Sequence, residues 1–187
     1  MSEAEIQVKS NSKKKDIALR YLVLAIFFWL MTITCILVIF LLSSEEGTAS
    51  NATSVLLQER INSTTDFFLI SNDSLRSLAH VLEYGVLTLL SFFAIDCTNR
   101  ISKKKSYAES PLKIIKSDNE MNIIFTGWFA IINALADEYH QLFVNGRNGN
   151  FGDVLKDLIG IILVLAIIRL VFSIYLASKG RKEVRYG

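Results

Sequence analysis

Residues 21–42 read YLVLAIFFWLMTITCILVIFLL, a run without one charged side chain. At about 1.5 Å of rise per residue, a helix of that length crosses a hydrocarbon core of roughly 30 Å. Lipid offers no partner to a bare peptide group, so a single span of this kind has to be helical. The run is longer than the apolar core of a signal peptide, and no small-residue cleavage motif follows Leu42. It is therefore expected to stay in the protein as an anchor.

Working outward, residues 75–97, 121–142 and 153–176 share the apolar character but are interrupted by polar side chains. The chain has 187 residues, 51% of them hydrophobic, and a single proline, a composition far from that of an average soluble domain. The predicted fold class is an all-α integral membrane protein with four transmembrane helices. Residues 1–16 form a cytoplasmic tail, expected to be disordered. Residues 17–176 form the membrane domain, with spans at about 20–42, 75–97, 121–142 and 153–176. Residues 177–187 are a basic cytoplasmic tail. The largest connection, 43–74, is rich in Ser, Thr and Asn. A short amphipathic stretch is expected near residues 55–61, with Phe67, Phe68, Leu69 and Ile70 at the membrane interface.

Lysine and arginine fix the expected orientation. Lys9, Lys13, Lys14, Lys15 and Arg20 precede the first span. Arg100, Lys103, Lys104, Lys105, Lys113 and Lys116 follow the second, and Lys179, Arg181, Lys182 and Arg185 end the chain. The two other connections hold only Arg60, Arg76 and Arg147. Both termini and the middle loop are thus expected in the cytoplasm, an asymmetry hidden by a net charge of +2. Topology accounts for the basic clusters, so no nucleic-acid partner is expected. Cys35 and Cys97 are expected at different depths, too far apart for a disulfide.

With that topology, three helices carry ionisable groups to one depth, the outer leaflet. His80, Glu83 and Tyr84 share a face of the second span. Asn133, Asp137, His140 and Gln141 share a face at the end of the third, where Glu138 also lies; Asp153, Asp157 and Gly160 open the fourth. Ala130 and Ala134, below Asp137, are small enough to let a neighbouring backbone approach. Glu83 sits on the order of 10 Å below the outer end of its helix, a depth at which a carboxylate must be paired or neutral. Arg147, flanked by Gly146 and Gly149, and His80 are its candidate partners. Asp96 and Arg169 are expected to reach toward the inner interface. The imidazoles and carboxylates are plausible metal ligands, but no HExxH or similarly strict spacing occurs, and neither metal nor other cofactor is expected. No serine stands in a nucleophile-elbow context.

The order of these pieces resembles the VanZ-like membrane proteins. Ser43 and Ser44 follow the first span, His80 to Tyr84 make an HxxEY-type motif, Asp137 to Gln141 a DExxQ motif, and Gly146-Arg147 precedes Asp153, Asp157 and Gly160. Glu45 stands where the family pattern has glutamine and Asn145 where proline is common, differences that touch loop shape more than the charged constellation. The resemblance implies a multi-pass protein of the bacterial cytoplasmic membrane, linked to reduced susceptibility to glycopeptide antibiotics of the teicoplanin type.

Three functions fit the residues. The leading expectation is a polar site at the outer leaflet, built from His80, Glu83, Tyr84, Asp137, Glu138, Gln141, Arg147, Asp153 and Asp157, that binds a lipid headgroup, an amphiphile or a lipid-linked envelope precursor. The same carboxylates, imidazole and guanidinium are sufficient for an intramembrane enzyme acting on a lipid-linked substrate. They are also sufficient for an accessory subunit that only organises helices against a partner membrane protein.

Overall fold

The computed structural model describes residues 3–64, 71–101, 111–147 and 149–186, with side chains over 17–64, 71–101, 118–147 and 149–178. These residues form five helices: α1 (Glu3–Ser43), α2 (Gly47–Thr64), α3 (Asn72–Ile101), α4 (Pro111–Gln141) and α5 (Phe151–Tyr186). Phe67, Phe68, Leu69 and Ile70 lie outside the described residues.

Two expectations change. Residues 3–16, expected to be a disordered tail, continue α1. No glycine or proline interrupts the chain before Gly47, and the tail is rich in Lys, Glu and Gln, which favour helix. The connection after α1 is more than a short amphipathic stretch, since α2 runs for 18 residues and buries none of them.

Among the described residues, three helices are long and apolar enough to cross a membrane: Ile17–Ser43, Asn72–Ile101 and Phe151–Ser178. α4 covers the stretch expected as the third of four spans but falls below that standard, because Asn122, Asn133, Asp137 and Glu138 lower its mean hydropathy. Its faces explain this composition. Asn119, Asn122, Thr126, Ala130, Ala134, Asp137 and Gln141 recur every three or four residues and are buried, while Ile124, Phe125, Trp128, Ile132, Leu135 and Tyr139 are exposed. A helix amphipathic in water would have the reverse arrangement.

α3 packs against all four other helices, and α4 closes on α5, α3 and, along a narrower seam, α1. The core is small: Ile39, Tyr84, Leu87, Ala130, Ala134 and Ile161. Ala130 and Ala134 are both fully buried. Gly160 sets the α3–α5 distance, since a Cβ there would stand 2.2 Å from the Val81 carbonyl oxygen. Around this core, side chains such as Leu30, Leu41, Trp128 and Ile162 are at least 60% exposed. Together with the apolar helices, that surface belongs to an all-α membrane protein.

Candidate functional site

One end of the bundle collects the polar side chains. The end of α1 supplies Ser43 and the turn after it Ser44, the first half of α3 His80, Glu83 and Tyr84, and the last turns of α4 Asp137, Glu138, His140 and Gln141. Arg147 comes from the α4–α5 connection, and Asp153 and Asp157 from the start of α5.

Their hydrogen bonds fall into separate groups. Ser43 Oγ donates to Asp137 Oδ2 at 2.9 Å, and Gln141 Nε2 donates to the same oxygen at 3.1 Å, one helical turn away. His80 Nδ1 and Asp157 Oδ1 are 2.9 Å apart, joining α3 to α5. Tyr84, 1% exposed, donates its hydroxyl to the Asn133 carbonyl at 3.2 Å. Glu138 Oε1 accepts from the backbone N–H of Asn150, tying the end of α4 to the loop before α5. His140 stacks on Phe40 with centroids 4.2 Å apart, and its Nε2 lies 3.0 Å from Ser44 Oγ. Asp153 pairs with Lys156 on its own helix at 2.5 Å.

Three of the carboxylates share one property. Asp137 Oδ1, Glu138 Oε2 and Asp157 Oδ2 are buried and have no hydrogen-bond partner among the described residues. Each group therefore spends one oxygen on holding helices and leaves the other unmatched, at a cost of about 1–3 kcal/mol apiece. Among the described residues, no three His, Cys, Asp or Glu side chains come close enough to hold a metal ion.

Arg147 departs from the expected pairing with a carboxylate. Its Nε donates to the Glu45 carbonyl at 3.0 Å, and its Nη2 to the Leu42 carbonyl at 3.0 Å and to Ser50 Oγ at 2.8 Å. Carbonyls at a helix C-terminus carry partial negative charge and lack partners within the helix, so a guanidinium is well matched to the end of α1. The turn that brings it there is tight. Gly146 adopts φ +73°, and Gly47 lies so near that its N–H reaches the Asn145 carbonyl at 3.2 Å.

Glu83 has no hydrogen bond among the described residues and lines a cavity of about 380 Å³ between the end of α1, α2 and α3. Arg147, Arg76 and His80 share its wall with the hydroxyls of Ser50, Thr53 and Ser54, while Leu57, Leu78 and Leu82 add an apolar side. Arg76 and the α2 hydroxyls were absent from the sequence-derived site. The available signal was an arginine two turns before Glu83 and a hydroxyl-rich segment, but nothing in the sequence set the distance between them. A narrower apolar slot of about 120 Å³ leads from Asp137 and Tyr84 past Ile36, Ile39 and Phe40.

At the far end of α3, Asp96 does more than reach for the interface. Its Oδ2 accepts from Arg100 Nε at 2.6 Å and its Oδ1 from Asn122 Nδ2 at 3.0 Å. Cys35 and Cys97 are free thiols.

A helical bundle with apolar side chains outside and polar ones on its inner faces is a multi-pass membrane protein. The chain belongs to the VanZ/LLP1 family, whose sequence profile matches residues 28–172, a range holding every polar residue of this end of the bundle. No curated protein and no solved structure matches it.

Proposed function

We propose that the protein is a VanZ-like binding protein of the bacterial cytoplasmic membrane that takes a lipid headgroup or amphiphile into the cavity beside Glu83 at the outer leaflet. In this reading α4 is a fourth span and both termini face the cytoplasm, following the lysine and arginine bias. α4 is tolerated in lipid because its asparagines and carboxylates face other helices. Reporters fused near residues 48 and 149 should read outside, and one at the C-terminus inside. An inside reading at residue 149 would overturn the topology.

The observation that carries the proposal is the composition of one cavity. Two guanidiniums and the Ser50 hydroxyl match an anionic headgroup, Glu83 and His80 match its polar or cationic part, and leucines flank an alkyl chain. Binding a lipid-linked envelope precursor, or an acylated glycopeptide that acts on one, would connect this site to reduced susceptibility to teicoplanin-type drugs. Arg76 and Glu83 make the clean test, since Arg147 also holds α1. Arg76→Gln with Glu83→Gln should leave thermal unfolding in detergent unchanged, weaken binding of short-chain phosphatidylglycerol at least about tenfold, and abolish any change in glycopeptide susceptibility. Unchanged binding in the folded double variant would refute the proposal.

The His80–Asp157 pair favours a second reading, an intramembrane enzyme. A carboxylate at Nδ1 orients an imidazole and leaves Nε2 to accept a proton beside Glu83. Conversion of an added phospholipid, followed by mass spectrometry and lost in His80→Gln, would support it.

A further inference from the structure

The apolar slot beside Asp137 is lined from α1, α3 and α4 and is separate from the cavity beside Glu83. The Ser43–Asp137 hydrogen bond stands between them, with Ser43 on the wall of the cavity and Asp137 on the wall of the slot. Nothing in the proposed function uses the slot.

Its wall is ordered along the bundle. Asp137 lies about one turn from the end of α4, while Ile36, Leu87 and Asn133 line the slot on the order of 5 Å deeper, about a turn further along their own helices. Tyr84 and Asn133 give donors to backbone carbonyls of α4, at Asn133 and Phe129. Asp137 is 8% exposed; Ser43 and Gln141 occupy its Oδ2, and its Oδ1 has no hydrogen-bond partner among the described residues. A buried oxygen in that state calls for a partner, and the slot beside it is where one can arrive. Phe40 and Ala136, also on the wall, are exposed, so the slot is entered sideways from lipid. At about 120 Å³ it is smaller than a cavity that admits one benzene ring, about 150 Å³, and its bore suits a single unbranched chain.

The charge on the wall decides the head of that chain. The slot is lined by no Lys, Arg or His, so a phosphate or carboxylate would meet Asp137 without a counter-charge. An ammonium would answer only the ionised form of Asp137 and would lose its water between apolar walls. A hydroxyl donates to a carboxylate and accepts from a carboxylic acid, and so serves Asp137 in either form.

We propose that this slot binds a long-chain primary alcohol, with its hydroxyl on Asp137 Oδ1 and its chain running past Ile39 and Leu87 toward the middle of the bilayer. The order of head and chain is that of a lipid in the leaflet at this end of the bundle. The site would make the protein a receptor for a neutral single-chain lipid, independent of the headgroup cavity.

The test uses the full chain in dioleoylphosphatidylcholine nanodiscs, labelled with 1-dodecanol that carries a mid-chain diazirine, with the cross-linked residues mapped by mass spectrometry. Labelling should fall on Ile36, Ile39 and Leu87. Unlabelled 1-dodecanol should displace the probe at concentrations about tenfold below those of dodecane, the gain from one hydrogen bond to a charged group, and below those of dodecylamine and dodecanoate. Asp137→Leu should abolish the advantage of the alcohol over dodecane, and Asp137→Asn should keep it, because an amide also meets a hydroxyl. Ala136→Phe, at an exposed position and so tolerant of change, should block the slot and remove the labelling without altering thermal unfolding. Arg76→Gln with Glu83→Gln should leave the labelling intact, which separates this site from the other. Displacement by dodecane as readily as by the alcohol, stronger displacement by the amine or the acid, or unchanged labelling in folded Ala136→Phe would overturn the proposal.

Discussion

Asp96 and Asp137 are carboxylates on neighbouring helices of one bundle, held in opposite ways at its two ends. Asp96 has both oxygens matched, one by a guanidinium and one by an amide. Asp137 has a hydroxyl and an amide crowded onto one oxygen while the other is buried without a partner. Asp157 and Glu138 repeat the half-matched pattern near Asp137, and Glu83 makes no hydrogen bond at all among the described residues. Satisfied polar groups specify packing, whereas half-satisfied ones give up stability and keep capacity for another donor. The first arrangement behaves as glue. The second is what a binding site requires, at an energetic cost that the surrounding helices must carry.

The severest way to break this contrast is Gly160→Leu. A side chain there collides with the Val81 carbonyl and prises α3 from α5 at the half-matched end. Thermal unfolding in detergent should show a loss of more than about 3 kcal/mol, with the His80–Asp157 pair gone. Arg147→Gln comes next. It removes contacts to two carbonyls at the end of α1 and to Ser50, and should cost about 2 kcal/mol. Hydrogen exchange should rise in α2 and the end of α1 while the Asp96 end stays protected.

A direct comparison of the two aspartates should follow, with opposite outcomes. Asp96→Asn weakens a matched pair, and because Arg100 is 40% exposed and screened by water, the loss should be about 1 kcal/mol. Asp137→Asn keeps an acceptor for Ser43 and Gln141 and converts the unmatched oxygen into an amide, so stability should hold or rise slightly. A larger loss at Asp137 than at Asp96 would invert the assignment of glue and site. The smallest effect belongs to Glu83→Gln, which breaks no hydrogen bond and should change stability by less than about 0.5 kcal/mol while altering binding at the cavity.

Much of the fold was legible because lipid makes a simple demand. A run such as 21–42 has only one stable form in a bilayer, and its length fits only one crossing. The polar stripes on α3, α4 and α5 could be read from three- and four-residue spacing, which is intrinsic to a helix. The end of the bundle where they meet follows from antiparallel order. α4 was less transparent, because its polar residues lower its hydropathy, and hydropathy does not say whether a polar face meets protein or lipid. The extent of α2 was hidden for a related reason, since an exposed helix leaves little hydrophobic pattern to detect.

The pairings themselves were beyond the sequence. Arg147 was the natural partner for a carboxylate by charge alone, yet the close passage of Gly47 by Gly146 delivers it to the carbonyls of Leu42 and Glu45. Asp96 looked like a side chain reaching for water until α4 placed Asn122 beside it. Sequence alone determined that the chain is an all-α membrane protein, which helix faces carry polar groups, and that these groups share one end of the bundle, because helical period and hydrophobic length are properties of a single segment. Only the tertiary structure decided which oxygen meets which donor and which is left over, because a hydrogen bond depends on distances of a few tenths of an ångström between segments whose separation the chain order does not fix.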